Sequence, residues 1–571
     1  MTIKIVTTEE MRQIETAADA GGVSYAQMME NAGRAVAEAI DEWLGADDAT
    51  VLVLVGPGNN GGDGLVAARY LVDMGATVQV YVWNRETQND KNWDLMCEKA
   101  VPVTRLADDP GLGSLRRLAG EADIVVDALL GTGIERAIKG DLERLLGVVR
   151  EVLGERRRPR DAALCAPAGM HYVESAEGTL EGATPTVVAV DMPTGLNSDS
   201  GALDPVAASA DLTVTMAAVK RGLMLSPGMT AVGTLLVADI GIPEELSSHI
   251  TSEMATPAMV ANLLPERPAD ANKGTFGKAL IVAGSVNYTG APYLAAISAV
   301  RSGAGLVTLA LPQAIHPIVA SRLIEATYLL LPHDMGVLAP EAVKVLADRM
   351  KDYDALLIGP GLTQEKSTAE FLSQLLGGAQ AAGKRRVGFL HRPEGAETGE
   401  GAGLPPLVVD ADALNLLAKM GQWWQLLPPR SILTPHPGEM ARLVGCETWE
   451  VVADRIGCAR EMAAKWGHVV LLKGAYSLIA DPEGRVMALP FANPTLAPAG
   501  SGDVLAGAIV GMRAQGLPPF EAALAGGYLH GLAGELARHM MYAVGVGAGD
   551  LPGLFPAAIR QLRGLGRQGS G

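Results

Sequence analysis

The sequence predicts two α/β domains in succession, each built on a parallel sheet. Short apolar runs rich in β-branched residues, such as residues 51–55 and 186–190, alternate with stretches of helical periodicity. Strands that are apolar throughout are typical of a parallel sheet covered by helices on both faces. The pattern lapses and then resumes. We therefore predict one domain at residues 1–245, a boundary segment at 246–270 and a second domain at 271–571.

The predicted elements of the first domain begin with two helices, one starting near Thr8 and one over residues 25–44. Strands separated by helices follow at 51–56, 78–83, 123–131, 186–193, 212–218 and 233–241. The second domain repeats this alternation with strands at 278–285, 305–312, 355–361, 406–414, 431–439 and 468–475, and a Gly/Ala-rich helix after Asp503. Residues 154–185 and 384–405, rich in charge, Gly and Pro, are interpreted as inserted surface loops.

Composition restricts the class of function. The chain has 571 residues, 48% of them hydrophobic, and 46 basic against 64 acidic residues give a net charge of −18. This balance argues against nucleic acid held on a basic surface, and an aromatic content of 4% argues against a base-stacking single-strand binder. A bound anion must therefore be met locally, by backbone N–H groups, helix N-termini or a cation.

Cysteine spacing and the apolar runs indicate the compartment. The cysteines at 97, 165, 446 and 458 form no C-x-x-C pair, so neither a zinc knuckle nor a disulfide framework is indicated. The first twenty residues lack a signal-peptide pattern, and the apolar runs are too short to span a bilayer. We predict a soluble cytoplasmic protein with no membrane partner.

A glycine-rich loop, GPGNNGGDG at residues 56–64, lies between a predicted strand and helix. Its glycines fit G-x-G-x-x-G, but a dinucleotide fingerprint needs an acid at the end of the next strand, where Glu86 is a poor match. No Gly-Lys-Ser/Thr follows, so the loop is not a P-loop. Asn59, Asn60 and Asp63 exceed what a phosphate cradle requires, and amide and carboxylate oxygens suit a hard cation.

Two later strand ends supply matching side chains. Asp127 ends one strand, and Asp191 with Thr194 follows another. The carboxyl ends of parallel strands meet at one edge of a sheet, so we expect these residues to converge on the glycine loop. Helix capping explains any one of them alone, but explains three Gly- and Asp-containing segments together less well.

These segments resemble the NAD(P)H-hydrate epimerase domain, through residues 28–37, 56–64, 127–136 and 191–201. The resemblance implies interconversion of the R and S hydrates at C6 of the nicotinamide ring and an Asp191 that faces the substrate; our hypothesis is that Asp191 moves the proton. It implies a potassium ion near Asn60, Asp127 and Thr194. It also implies substrate contacts from Asn59, Asn60, Gly61, Gly62, Asp63, Gly131, Thr132, Gly133, Ile134, Glu135, Arg136, Ala137 and Asp191.

The second domain carries its own anion site. A Gly-Ser-Gly turn at 500–502 opens a helix, so its N–H groups point at an incoming anion. Asp503 either complements the helix dipole or accepts the proton of a hydroxyl that attacks a nucleotide phosphate. Other strand-end polar residues are Lys473, His436, Glu439, Asp410 and Asp412.

The second half resembles the ribokinase-like superfamily, and within it the NAD(P)H-hydrate dehydratases, through 272–312 and the segments VVDADALN, LTPHPGE, LLKGA and AGSGDVLAG. The resemblance implies two αβα domains, Rossmann-like and then ribokinase-like. It implies an ADP or ATP co-substrate with Mg²⁺, and Asp503 as the base. Nucleotide contacts are expected from Lys473, Gly474, Ala475, Tyr476, Ser477, Gly500, Ser501 and Gly502, and hydrate contacts from Ala291, Gly361, His436 and Asp503.

Together the two resemblances predict a bifunctional enzyme that repairs hydrated nicotinamide cofactors, NAD(P)HX, and assembles as a homo-oligomer. One alternative is a kinase for a hydroxymethylpyrimidine or thiazole alcohol fused to a dinucleotide-binding regulator, because the turn at 500–503 alone fits both. A second alternative is a first domain that only binds ligand. The choice between ADP and ATP, and between NADHX and NADPHX, stays open.

Overall fold

The computed structural model describes residues 2–133, 136–154, 163–167, 186–384, 404–541 and 544–568. These residues form two compact units, one within residues 1–254 plus 490–492 and the other within 255–489 plus 493–571. The division follows Met254, inside the expected boundary segment 246–270. That segment carries a short strand, Ser252–Met254, and a helix, Pro257–Leu263.

The first unit is an α/β unit with a mainly parallel sheet. Its strands are β1 (Ile3–Val6), β2 (Thr50–Val55), β3 (Thr77–Val82), β4 (Val103–Arg105), β5 (Ile124–Ala128), β6 (Ala163–Pro167), β7 (Thr186–Val190), β8 (Leu212–Met216), β9 (Val219–Lys220), β10 (Thr234–Ala238) and β11 (Ser252–Met254). Its helices are α1 (Thr8–Ala20), α2 (Tyr25–Leu44), α3 (Asn59–Asp73), α4 (Lys91–Cys97), α5 (Gly113–Glu121) and α6 (Asp141–Gly154).

The sheet of the first unit explains why its functional segments converge. Strands β6, β10, β8, β7, β5, β2, β3 and β4 lie side by side in that order, and each adjacent pair is parallel. Strands β2, β5 and β7 are therefore neighbours, and the loops that follow them leave the same edge. Buried strand residues such as Val51, Val53 and Val126, all 0% exposed, account for the apolar runs in the sequence.

Three features of the first unit differ from the sequence-based expectation or lie beyond it. A strand, β1, precedes the predicted first helix and pairs with β9 and β11. Part of the presumed loop at 154–185 is strand β6, which pairs with β10 and, on its other side, antiparallel with Phe491–Ala492. The rest of that segment, and most of 384–405, lies outside the described residues.

The second unit repeats the α/β design with a different strand order. Its strands are β12 (Lys278–Val282), β13 (Leu306–Pro312), β14 (Thr327–Leu331), β15 (His333–Asp334), β16 (Val337–Leu338), β17 (Ala355–Ile358), β18 (Leu407–Val409), β19 (Ile432–Leu433), β20 (Val469–Leu472), β21 (Leu478–Ala480) and β22 (Val486–Ala488). Its helices are α7 (Pro257–Leu263), α8 (Gly290–Ser302), α9 (His316–Ala320), α10 (Ala342–Ala347), α11 (Lys366–Lys384), α12 (Asp412–Leu417), α13 (Pro437–Val444), α14 (Thr448–Ala453), α15 (Arg455–Trp466), α16 (Ser501–Ala514), α17 (Pro519–Met541) and α18 (Leu551–Gln568).

In this unit β14, β13, β12, β17, β18, β19 and β20 are parallel neighbours, followed by antiparallel β21 and β22. Helices α8 and α16 pack closely because Gly507 and Gly511 are small. A Cβ at Gly507 would lie 2.1 Å from the carbonyl oxygen of Ala295, and one at Gly511 would lie 2.1 Å from Ser302 Oγ. The predicted α/β architecture with parallel sheets is confirmed. In the described part of the chain, no helix is long and apolar enough to cross a membrane.

Candidate functional site

The glycine loop of the first unit is held by contacts that only glycine permits. A Cβ at Gly56 would lie 1.7 Å from the carbonyl oxygen of Leu129, and one at Gly61 would lie 2.1 Å from the carbonyl oxygen of Gly56. Arg85 Nη1 donates to the carbonyl oxygens of Gly56 at 3.0 Å and Gly58 at 2.8 Å. The loop carbonyls therefore face Arg85, while α3 begins at Asn59 and presents the N–H groups of its first turn.

Asn60 is the buried amide of this loop. Its side chain is almost fully buried, and neither its nitrogen nor its oxygen finds a hydrogen-bond partner among the described residues. Gly131 lies opposite, since a Cβ there would come within 3.5 Å of Asn60 Oδ1. Buried side-chain amides are nearly always satisfied, so Asn60 indicates a partner other than the protein.

Asp127 and Thr194 are brought into direct contact. The Thr194 backbone N–H donates to Asp127 Oδ2 at 2.8 Å, and the Thr194 hydroxyl donates to Oδ1 at 2.7 Å. Burial raises the pKa of Asp127, although the hydrogen bonds from Thr194 oppose that rise. The Leu130 N–H donates to Thr194 Oγ1 at 3.0 Å, which fixes the loop before Gly131. One carboxylate, one hydroxyl and one unpaired amide thus lie near this loop, a donor set that suits a singly charged hard cation.

Asp191 lies at the end of β7 in a left-handed backbone conformation, with φ of 63°. Lys220 Nζ donates to Asp191 Oδ1 at 2.5 Å, and the Thr215 hydroxyl and Met216 N–H donate to the same oxygen at 3.1 and 3.2 Å. Among the described residues, no group donates a hydrogen bond to the second carboxylate oxygen, and the side chain is 13% exposed. Lys220 itself is buried, so this ion pair is shielded from water.

Two more carboxyl groups lie in the field of Asp191. Burial raises the pKa of Asp63 well above its usual range, and the charges of Asp191 and Glu15 add to the rise. Burial also raises the pKa of Glu15, where Lys220 opposes the effect. The unit therefore places a carboxyl group that favours its protonated form near a carboxylate held by an ammonium, which is the arrangement general acid–base chemistry needs.

The remaining predicted substrate residues of the first unit lie in loops. Asn59 is exposed, and Gly61 and Gly62 are buried in the first turn of α3. Ser198 donates to the carbonyl oxygen of Thr132 at 3.3 Å, which anchors the loop that holds Gly131, Thr132 and Gly133. Arg136 and Ala137 are exposed, whereas Ile134 and Glu135 lie outside the described residues.

In the second unit, Lys473 lies at the centre of a charged cluster. Its Nζ donates to Asp410 Oδ1 at 2.8 Å and lies 3.6 Å from Glu439 Oε2. Thr434 donates to the same Asp410 oxygen at 2.8 Å. Burial raises the pKa of Glu439, and the charges of Asp410 and Glu439 raise the pKa of Lys473 against its desolvation. Lys473 therefore remains a cation at the end of β20.

His436 caps the N-terminus of α13. Its ring Nδ1 accepts hydrogen bonds from the backbone N–H groups of Gly438 at 3.0 Å and Glu439 at 3.3 Å. The backbone N–H of His436 donates to Glu439 Oε2 at 2.8 Å. Burial and the charges of Lys473 and Arg442 lower the pKa of His436, which keeps the ring neutral. Because Nδ1 is an acceptor, Nε2 carries the ring proton, and it lies 3.4 Å from Glu439 Oε1 on the half-exposed side of the ring.

Asp503 lies in the first turn of α16, beyond the Gly500–Gly502 turn. Burial raises its pKa to about 7, with a further rise from Asp410 and an opposing effect of Lys473. Gly500 has φ of 93°, and a Cβ at Gly502 would lie 3.6 Å from Lys473 Nζ and 4.0 Å from Asp410 Oδ2. The Gly500–Gly502 turn, the Lys473 ammonium and the Asp503 carboxyl group, which titrates near neutral pH, thus lie close together.

The Ser501 hydroxyl is hydrogen-bonded to a histidine on α17. Ser501 Oγ and His530 Nε2 lie 2.9 Å apart, and burial lowers the pKa of His530 to about 4. The neutral imidazole can accept a hydrogen bond from the hydroxyl, so the bond orients Ser501 without adding charge.

The expected nucleotide segment at 473–477 is a tight turn. Arg455 Nη1 donates to the carbonyl oxygen of Ala475 at 2.6 Å, and the Ser477 hydroxyl bridges the backbone of Gly474. The Tyr476 side chain is fully buried, so this residue can offer only backbone atoms to a ligand. Gly361, with φ of 64°, lies against α8, since a Cβ there would be 2.9 Å from that of Ala291.

Comparison with known proteins agrees with this division. A family model described as YjeF-related protein N-terminus matches residues 25–222, and one described as NAD(P)H-hydrate dehydratase matches 279–381 and 399–552. The bifunctional NAD(P)H-hydrate repair enzyme of Moorella thermoacetica is 36% identical over 98% of this chain and 97% of its own length. That of Salinibacter ruber is 36% identical over 96% of this chain and 94% of its own. This chain belongs to the bifunctional NAD(P)H-hydrate repair enzyme family.

A solved structure is also similar to the second half of this family member. The ADP/ATP-dependent NAD(P)H-hydrate dehydratase of Bacillus subtilis, co-crystallised with ATP and Mg²⁺, is 32% identical. It covers 54% of this chain and 98% of its own, with a TM-score of 0.44.

Sequence reasoning about this repair enzyme missed several residues of its two sites. Lys220 lies in a two-residue strand, 29 positions after Asp191, and no sequence motif indicates it. Arg85 was passed over in favour of its neighbour Glu86, and Arg455 and His530 reach their sites from other helices. The only sequence signal for Lys220 was that this lysine follows the apolar strand β8.

Proposed function

We propose that the first unit interconverts the R and S hydrates of NADH and NADPH, and that the second unit dehydrates the S hydrate at the expense of ADP or ATP. The observation that carries this proposal is Asp503, a carboxylate with a pKa of about 7 at the start of a helix that follows a glycine turn. Family membership supports the pairing of the two activities in one chain.

In the first unit, Asp191 is the proposed proton-transfer group at C6 of the hydrated ring. Lys220 fixes one carboxylate oxygen and leaves the other for the substrate. Asp63, whose pKa is raised, is placed to hold a proton nearby. The dinucleotide phosphates would be met by the N–H groups of α3 and of the loop from Gly131 to Ala137.

A potassium ion bound by Asn60, Asp127 and Thr194 is part of this proposal. It would satisfy the Asn60 amide oxygen, which lacks a protein partner, and offset the cost of burying Asp127. Such an ion supplies positive charge next to the substrate phosphates. Epimerisation should then require K⁺ and fail in Li⁺, and Asn60→Ala should weaken the K⁺ dependence. Equal rates in both salts would refute this part.

In the second unit, the C6 hydroxyl oxygen attacks the terminal phosphorus of ADP or ATP, the bond from that phosphorus to the bridging oxygen breaks to release AMP or ADP, and Asp503 accepts the hydroxyl proton. The C6 phosphate then leaves with the C–O electron pair while a proton leaves the neighbouring ring carbon, which restores the double bond. The N–H groups of Gly500–Gly502 stabilise the transferring phosphoryl group, and Lys473 offsets its charge. Mg²⁺ would bridge the nucleotide phosphates.

The decisive experiment supplies each purified hydrate epimer with ADP or with ATP and follows the absorbance of reduced nicotinamide. Wild-type protein should convert both epimers, Asp191→Ala should convert only the S epimer, and Asp503→Asn should convert neither while still epimerising. The absence of any signal with either nucleotide would favour the alcohol-kinase alternative instead.

A homo-oligomeric assembly and a cytoplasmic location also belong to this proposal, from the family resemblance. Light scattering on the purified chain tests the first, and cell fractionation tests the second.

A further inference from the structure

The second unit contains a basic cavity that neither proposed activity uses. This arginine pocket has a volume of about 470 Å³ and is lined by Arg267, Arg301 and Arg563, and Glu325 is the one acidic residue among its described lining residues. In a chain with a net charge of −18, three guanidinium groups around one cavity form a local positive site.

Two of the three arginine side chains are held in place by backbone groups. Arg563 Nη2 donates to the carbonyl oxygen of Pro265 at 2.6 Å, and Arg267 donates to that of Gly303. The Arg267 guanidinium also stacks 4.0 Å from the centre of the Phe276 ring. Among the residues that the structure describes, none of the three arginines forms an ion pair.

The arginines lie close enough to repel each other. Partial burial, and after it the charge of Arg563, lowers the pKa of Arg267. A purely structural role for the arginines would be to neutralise the partial negative charge of the last carbonyl groups of α8, a helix that ends at this cavity. That role occupies one nitrogen of Arg267, whereas each guanidinium carries five N–H groups. Several donors thus remain for a ligand.

Much of the remaining lining is apolar, alongside the polar Ser302 and Gln515 and the acidic Glu325. Leu264, Val300, Met512 and Ile559 contribute to the cavity wall, so a fully solvated inorganic ion would leave much of it unfilled. The volume lies in the range of small-molecule sites, roughly 300–1,000 Å³. An anionic group attached to an apolar or aromatic body fits both parts of the wall.

The cavity is remote from the candidate active site. It contacts the last turns of α8 and α16, whose first turns carry Ala291 and Asp503. Nine or ten helical residues separate the two places on each helix, which is about 14–15 Å along the axis. A ligand in the pocket therefore does not overlap a nucleotide at the Gly500–Gly502 turn.

We propose that the arginine pocket is a second binding site, specific for a small organic phosphate with an apolar or aromatic moiety. Arg301 and Arg563 bind the phosphate, and the apolar wall binds the body of the molecule.

The test is calorimetric titration of the full-length protein with 1-naphthyl phosphate, alone and with saturating ADP and Mg²⁺. Wild-type protein should bind it in both conditions, and inorganic phosphate and 1-naphthol should each bind at least tenfold more weakly. The double variant Arg301→Gln/Arg563→Gln should raise Kd at least tenfold, because two charge-assisted contacts are lost. Arg322→Gln, which removes an exposed arginine of the same unit outside the cavity, should leave Kd within twofold.

Three results would overturn the proposal: no binding by the wild type, an unchanged Kd in a double variant that melts at the wild-type temperature, or a signal that ADP abolishes in all variants. The last would place the probe in the nucleotide site. The experiment measures binding rather than turnover. Its result therefore stays valid even if the protein does not catalyse the repair reaction.

Discussion

Asp410→Asn should move the pH dependence of dehydration to lower pH. Asp503 has a pKa of about 7, so the wild-type rate should be half-maximal near pH 7 and fall about tenfold per unit below it. Asp410 is the largest charge effect that raises this pKa. The substitution removes that negative charge, and the charge of Lys473, which lowers the Asp503 pKa, is then no longer offset by the Asp410 carboxylate. Both consequences have the same sign.

The size of the shift follows from Coulomb's law. A neighbouring unit charge in a partly hydrated site, at an effective dielectric constant between about 20 and 80, contributes roughly 1–2 kcal/mol, which is about one pKa unit. The half-maximal pH should therefore fall by about one unit. The asparagine is isosteric, and its oxygen can still accept the Thr434 and Lys473 bonds at 2.8 Å, so the fold should survive.

The assay is kcat/KM for the S hydrate with ADP between pH 5 and 9, followed by nicotinamide absorbance. Asp412→Asn is a graded control, because Asp412 raises the Asp503 pKa less than Asp410 does. Its midpoint should move in the same direction by a smaller amount. An unchanged midpoint in Asp410→Asn, with a normal plateau at high pH, would show that Asp503 is not the group that titrates.

Three further predictions concern other parts of the molecule. Lys220→Met should lower epimerisation at least 100-fold while sparing dehydration of the S hydrate, because Asp191 loses its fixed ammonium; equal loss of both rates would contradict this role. Gly61→Ala should lower the melting temperature and abolish epimerisation, since its Cβ would lie 2.1 Å from a carbonyl oxygen, whereas Gly58→Ala meets nothing within 4 Å and should behave as the wild type. The histidine pKa falls from 6.5 to about 4 at His530, so the unfolded chain binds more protons and stability should decline by about 3 kcal/mol from pH 6.5 to 4. Urea unfolding at both pH values should show that this decline is smaller in His530→Gln.

The sequence was most informative where a loop and a strand end share one short segment. The loops at 56–64 and 500–503 can be recognised in the sequence because glycines, an acidic residue and the start of a helix are adjacent in the chain. The meeting of Asp127 with Thr194 also followed from sequence, since parallel neighbouring strands deliver their carboxyl ends to one edge.

Residues that reach a site from elsewhere carry no such signal. Arg455 contacts Lys473 from 18 positions upstream, and its helix contains nothing that distinguishes it from a surface arginine. Strand β6 was hidden for a different reason. Its five residues lie in a segment rich in Gly and Pro, and its place in the sheet depends on pairing with distant β10. Long-range pairing of this kind cannot be read from local periodicity.

The two units hold their proposed catalytic carboxylates in different environments. In the first, Lys220 donates directly to Asp191 Oδ1, so the lysine fixes the position of that carboxylate. In the second, Lys473 donates to Asp410 instead, and its charge acts on Asp503 through space. A lysine bonded directly to Asp503 would lower the pKa of that carboxyl group further. The Lys473–Asp410 pair therefore allows a buried cation to lie beside the Gly500–Gly502 turn while Asp503 keeps a pKa of about 7.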